Sequence, residues 1–115
     1  MHRTIAEFYG HADALDTEGV CLCLDEDVEL QFSNSPLIKG RQQVREVFSQ
    51  FYGTIKSMKH DFVSEWETSG TTLLESRVTY TRGNGTVLSV PAFSVVELHR
   101  EKISSVRIFV DLSHL

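Results

Sequence analysis

The chain has 115 residues, enough for one domain of ordinary size and too few for two, which excludes a separate cofactor domain. Hydrophobic residues make up 41%, enough to build a buried core. Sixteen acidic against eleven basic side chains leave a net charge of −5, the wrong sign for a domain that binds by neutralising phosphates, so composition argues against nucleic acid as a partner. No apolar run approaches the roughly 20 residues that span a bilayer. The start, Met1-His2-Arg3-Thr4-Ile5-Ala6-Glu7, places a glutamate where a secretion signal builds its apolar stretch. A cytoplasmic protein without a membrane partner is expected. Cys21 and Cys23 are too few and too close for a disulfide framework or a four-ligand zinc site, and read as reduced packing residues.

With no internal repeat, charge block or low-complexity linker, residues 1–115 read as one domain. Ile5, Phe8, Tyr9, Ala12 and Leu15 fall at helical spacing on one apolar stripe, with Glu7 and Asp13 off it. Asp16-Thr17-Glu18 supplies an N-cap and a first-turn acid for a short second helix bearing Val20, Cys23 and Leu24, which Asp25-Glu26-Asp27 is expected to end. Val28-Glu29-Leu30-Gln31-Phe32 alternates like a half-buried strand and is broken by Ser33-Asn34-Ser35-Pro36. Gly40 opens a third helix with Val44, Val47, Phe48, Phe51 and Ile55 on its stripe.

From residue 57 the period changes to two. Met58, His60, Phe62 and Trp66 share one parity, and Ser69-Gly70 turns the chain into a strand carrying Leu74, Val78 and Tyr80. Asn84-Gly85 is a strong hairpin signal, and strands follow over 87–98 and 103–112. Pro91 cannot donate to a ladder, so a bulge or a locally unpaired edge is expected there. The order predicts an α+β fold, three N-terminal helices packed on a curved, mostly antiparallel sheet.

With its elements in that order, the sequence resembles the SnoaL-like branch of the nuclear transport factor 2-like superfamily, whose fold is a cone-shaped α+β barrel around a pocket. The carriers are Phe8-Tyr9 before Asp16-Thr17-Glu18-Gly19, then Asp27-Val28-Glu29-Leu30, Gly40-Arg41, Lys102-Ile103 and Arg107-Ile108-Phe109-Val110-Asp111. The superfamily hosts isomerases, cyclases, epoxide hydrolases and non-enzymes, so residues must decide the chemistry. Ketosteroid isomerases hold an enolate with a tyrosine and an aspartic acid and move the proton with a second aspartate. The corresponding places hold Phe8, Ser94 and Phe32, and a phenyl ring neither donates a hydrogen bond nor accepts a proton, which excludes that mechanism.

Phe32-Ser33-Asn34-Ser35-Pro36-Leu37 is similar to the tyrosine-x-asparagine-x-proline-leucine stretch of the limonene epoxide hydrolase family, and Phe109-Val110-Asp111-Leu112 to its terminal aspartate motif. The resemblance implies that Asn34 and Asp111 hold a water. The family's tyrosine is Phe32 here, and its arginine-x-aspartate has no counterpart, the nearest stretch being Ser76-Arg77-Val78-Thr79.

The candidate catalytic groups are therefore Asp111, His60 and Asn34. Asp111 serves as a base if it looks into a dry cavity, where desolvation raises its pKa. His60 shares the parity of Met58 and Phe62 and is expected to face inward as a neutral imidazole able to relay protons. Tyr9, Tyr80, Phe32 and Trp66 are expected to line the substrate space. No metal or other cofactor is implied, because His11, His60, His99 and His114 do not cluster with acids at ligand spacing. The expectation is a small-molecule enzyme (isomerase, cyclase or hydrolase) acting on an apolar metabolite in a homodimer. The alternative is a non-catalytic binding or interaction module of the same fold.

Overall fold

The first helix, α1 (Arg3–Asp13), forms where the apolar stripe predicts it, and the ring Nδ1 of His2 caps it by accepting a hydrogen bond from the Thr4 N–H at 3.0 Å. Ile5, Phe8, Tyr9 and Ala12 are buried. Leu15 lies beyond its end, in a turn with φ of 54°, and still packs on the core. In α2 (Thr17–Leu22) the Asp16 carboxylate caps the N–H of Gly19 at 3.0 Å. A Cβ on Gly19, inside α2, would sit 2.2 Å from the His11 ring, so α1 and α2 approach this closely only with glycine here or with His11 displaced. In this computed structural model, which describes residues 1–115, the remaining elements are β1 (Leu24–Phe32), β2 (Ile38–Lys39), α3 (Arg41–Tyr52), β3 (Ile55–Thr68), β4 (Thr71–Arg82), β5 (Val87–His99) and β6 (Lys102–Val110).

The six strands form one curved sheet in the order β2-β1-β6-β5-β4-β3. Strands β3 to β6 make an antiparallel meander, β1 runs parallel to β6, and β2 pairs antiparallel with β1. The sheet does not close: β2 and β3 are free edges. All three helices cover its inner face, and Ile5, Phe8, Val20, Leu30, Val44, Leu74, Val96 and Val106 meet between the layers at 2% exposure or less. Each such side chain stabilises the fold by about 1.5–3 kcal/mol.

Several boundaries differ from the sequence expectation. Asp25-Glu26-Asp27 does not end α2 but lies inside β1, where the register with β6 jumps from Leu24↔Ile103 to Glu29↔Ser105. The run is a bulged segment in which Asp25 Oδ1 accepts from the Asp27 N–H at 2.9 Å. Ile55 starts β3 rather than closing α3, and Tyr52 takes its place on the buried face. Pro91 meets the second of its two expectations, a locally unpaired edge: it pairs in register with Arg77 without a bulge. On its other side β6 ends at Val110, opposite Ala92, so Pro91 has no strand to serve there.

The largest change concerns Trp66. In β3 the pairing passes from Phe62↔Ser76 to Ser64↔Glu75, so Val63 is an extra residue. One extra residue inverts the parity of everything after it. Trp66 therefore lies on the outer face of the sheet, 49% exposed, with its ring 6.4 Å from that of Phe93.

Candidate functional site

Between the inner face of the sheet, α1 and α3 lies a cavity of about 40 Å³. Phe8, Tyr9 and Ala12 come to it from α1, Phe48, Phe51 and Tyr52 from α3, Phe32 from β1, and Met58, His60, Val78, Tyr80, Ala92, Ser94 and Ile108 from the meander. The walls are apolar apart from three phenol groups, the Ser94 hydroxyl and one imidazole.

That imidazole is held by Asp13, the last residue of α1. Its Oδ1 lies 2.6 Å from His60 Nδ1, and its Oδ2 accepts from the backbone N–H of His60 at 3.0 Å. Strand β3 is an edge, so its outward N–H groups lack a ladder partner, and the carboxylate fills that vacancy at His60. An ionised carboxylate only accepts hydrogen bonds, so Nδ1 carries the proton in this pair and Nε2 is left uncommitted. The ring is fixed laterally by Tyr9, edge-on at 4.9 Å, and by Phe62, stacked at 6.0 Å. The side chain of His60 is 13% exposed and that of Asp13 is 29% exposed. Asp13 was read from sequence only as a polar residue off the stripe. Sequence spacing carries no signal for this contact, because 47 residues separate the pair and only the folded sheet makes β3 an edge.

Tyr9 Oη is a buried side-chain polar atom with no hydrogen-bond partner. Ser94 is near enough to influence the phenol without making a bond of acceptable geometry, and burial dominates, pushing its pKa up to about 12. Burial likewise raises Tyr80 to about 12, with the negative charge of Asp13 adding to it, and raises Tyr52 for the same two reasons.

The structure does not bring the three candidate catalytic residues together. His60, Tyr9, Tyr80 and Phe32 line the cavity as expected from sequence. Asp111 and Asn34 meet elsewhere, in an open depression with Ser33 and Val110 at the ends of β1 and β6. Asp111 follows the last residue of β6 and is exposed, and its Oδ1 accepts from the Ser113 N–H at 2.9 Å. Hydrogen bonding to Ser113 lowers its pKa, so the expectation of a desolvated, raised carboxyl is corrected. Trp66 is corrected too, since it faces away from the cavity. No group of three or more His, Cys, Asp and Glu side chains is arranged to hold a metal ion. No helix is long and apolar enough to cross a membrane.

All three tyrosines of the chain have raised pKa values, so their ionisation reports on the cavity. A phenol favoured in its protonated form gives its full stability below the unfolded value near 10 and loses it as the pH rises through the folded value. Absorbance at 295 nm is expected to show almost no phenolate at pH 10 in folded protein, with loss of structure beginning as the pH climbs toward 12. Half-ionisation of any tyrosine at pH 10 without unfolding would contradict the buried arrangement.

Comparison with known proteins agrees with this fold. The model of a SnoaL-like domain matches residues 5–106. A protein of ketosteroid isomerase-like fold from Catenulispora acidiphila DSM 44928, crystallised with trimethylamine, superposes with a TM-score of 0.86 at 12% identity, covering 96% of this chain and 87% of its own. An LEH-like epoxide hydrolase of M. tuberculosis gives a TM-score of 0.83 at 15% identity, with 96% and 82% covered. A putative SnoaL-like polyketide cyclase from Jannaschia sp. CCS1 gives a TM-score of 0.82 at 12% identity, with 95% and 83% covered. At such identities these likenesses establish the fold alone. No curated protein sequence matches the chain. The family match spans most of the sequence and every element of the cone up to the middle of β6, and the chain belongs to the SnoaL-like domain family.

Proposed function

We propose that this protein is a small-molecule enzyme that moves a proton on an apolar substrate, in the isomerase and cyclase manner, with His60 as the acid/base group. The observation that carries the reading is the pairing of His60 Nδ1 with Asp13 at 2.6 Å in the wall of an apolar cavity that also holds the unpartnered Tyr9 hydroxyl. The same carboxylate satisfies the strand edge and the ring Nδ1, which leaves Nε2 the free nitrogen in a wall that also carries a hydroxyl without a partner.

The chemistry follows from these positions. Nε2 of neutral His60 removes a proton from a carbon next to a carbonyl. The C–H electron pair forms a carbon–carbon double bond, and the carbonyl π pair moves to oxygen. Tyr9 Oη–H donates to that oxygen, where the charge develops, and its raised pKa keeps it protonated for the purpose. Asp13 steadies the imidazolium, which returns the proton to another carbon; in the cyclase branch the enolate carbon attacks a carbonyl carbon of the same molecule, that carbonyl's π pair moves to its oxygen, and the imidazolium protonates the alkoxide. Asp111 and Asn34 take no part in this step, because they line a different depression. A hydrolytic reaction is the less favoured reading, since the Asn34 and Asp111 pair implied by epoxide hydrolase resemblance stands in open solvent.

The reading includes a homodimer formed through the outer face of the sheet. Trp66 and Phe109, 49% and 48% exposed, flank the half-buried Phe93 in an apolar strip. Glu75 pairs with Phe93 across β4 and β5, and Arg77 with Pro91, so both signs of charge border the strip on one strand. A two-fold axis through it brings each sign against the other.

Two measurements test these statements. Exchange of the C2 protons of 1-indanone, a flat enolisable ketone, followed by NMR in D₂O, is expected to be accelerated by the protein. His60→Gln is expected to lower the acceleration by about 10²–10⁴-fold, with Asp111→Asn leaving it unchanged. No acceleration, or full activity in His60→Gln, would contradict the assignment. Light scattering is expected to give twice the 13.0 kDa of one chain, falling to one chain in Trp66→Lys/Phe109→Lys with the circular dichroism retained. A monomeric parent protein would overturn the dimer.

A further inference from the structure

The inner cavity is too small for the molecules such chemistry acts on. Its 40 Å³ has room for a few waters, whereas ligand pockets begin at about 300 Å³. Against it lies a second, more open apolar cleft of about 250 Å³ between the end of β1 and α3. Leu30, Ile38 and Val47 line only the cleft, while Phe32, Phe48 and Phe51 line both spaces. Three aromatic rings are thus shared by the two spaces, and together the volumes approach the lower limit for a ligand pocket. Two of the rings, Phe32 and Phe51, are only half-buried and stand 6.0 Å apart. The inner end holds the Tyr9 hydroxyl, a buried donor that makes no hydrogen bond within the protein although Ser94 lies near it. The outer end holds no charged group.

We infer that cavity and cleft are the two halves of one binding site, joined when Phe32 and Phe51 swing aside, and that it takes an elongated, flat apolar molecule with a single oxygen at its inner end. The inner oxygen, a carbonyl or phenol, accepts from Tyr9. The ring takes the inner cavity together with the space that Phe32 and Phe51 vacate, against Phe48. An alkyl or aryl tail fills the cleft against Ile38 and Val47. This rests on the reading of the cavity as a substrate site and adds where the substrate enters, how long it is and which end carries its polar group. Rotation of a half-exposed ring is fast on the scale of turnover, so the gate need not limit the reaction.

The test uses 4-alkylphenols, from phenol to 4-hexylphenol, titrated calorimetrically into the full chain. Affinity is expected to rise about two- to fourfold with each methylene beyond ethyl until the cleft is full. Val47→Trp, which fills the cleft from α3 without touching the inner cavity, is expected to abolish this rise while leaving the affinity for phenol within about twofold. Ile38→Trp, from the other wall, is expected to do the same and decides the matter should the first variant not fold. Tyr9→Phe is expected to weaken every member of the series by a common factor of about ten. Affinity independent of chain length in the parent protein, or a rise that persists in both tryptophan variants, would overturn the two-part site while leaving the inner cavity as a ligand site. Failure of phenol and all its homologues to bind, or indifference to Tyr9→Phe, would overturn the reading of the cavity itself and the extension with it.

Discussion

The end of α1 and the edge of the sheet are joined through one carboxylate. Asp13 takes the backbone N–H and the imidazole of His60 at once, so the same two oxygens that satisfy an open strand edge also fix the orientation of the one basic group in an apolar cavity. In the function proposed above, structural and chemical roles coincide in it. Without an acceptor there, the edge of β3 leaves a polar N–H unsatisfied and the ring is free to turn. With it, Nε2 is the nitrogen left for chemistry, and Tyr9 and Phe62 hold the ring plane.

What surrounds this pair is set by β-strand parity. Met58, His60 and Phe62 face inward together because the register with β4 is regular from Ser57 to Phe62. The extra residue at Val63 then turns the rest of β3 over, placing Trp66 outside with Phe93. A single bulge therefore separates a residue that lines the cavity from one that coats the outer face. The inner surface keeps a small, mostly apolar space with one unpartnered hydroxyl, and the outer surface gains an apolar strip.

Much of this was legible in the sequence. The stripes of α1 and α3, the Asp16 cap, the Asn84-Gly85 hairpin and the inward parity of His60 and Tyr80 all follow from local spacing, because burial on one face imposes a period that the chain itself records. The features that escaped are those in which register is decided by a partner strand. Asp25-Glu26-Asp27 looks like a helix end until β6 forces a bulge there, and Trp66 looks inward until Val63 is found unpaired. The role of Asp111 as a base depends on its looking into a dry cavity, a condition local spacing does not decide: β6 stops one residue earlier and the chain turns into solvent under the hydrogen bond to Ser113. The role of Asp13 was out of reach for a different reason. Forty-seven residues separate it from His60, and nothing local in either segment announces the contact.

The most direct test is the tautomer of His60, read from ¹⁵N chemical shifts of its ring in two-dimensional ¹H–¹⁵N NMR at a pH where the imidazole is neutral. The proton is expected on Nδ1, with a pyridine-like Nε2, and Asp13→Ala is expected to abolish the preference. A parent protein in which Nε2 carries the proton would show that Asp13 does not hold the ring for chemistry at the cavity, and the functional account would fall while the fold remained.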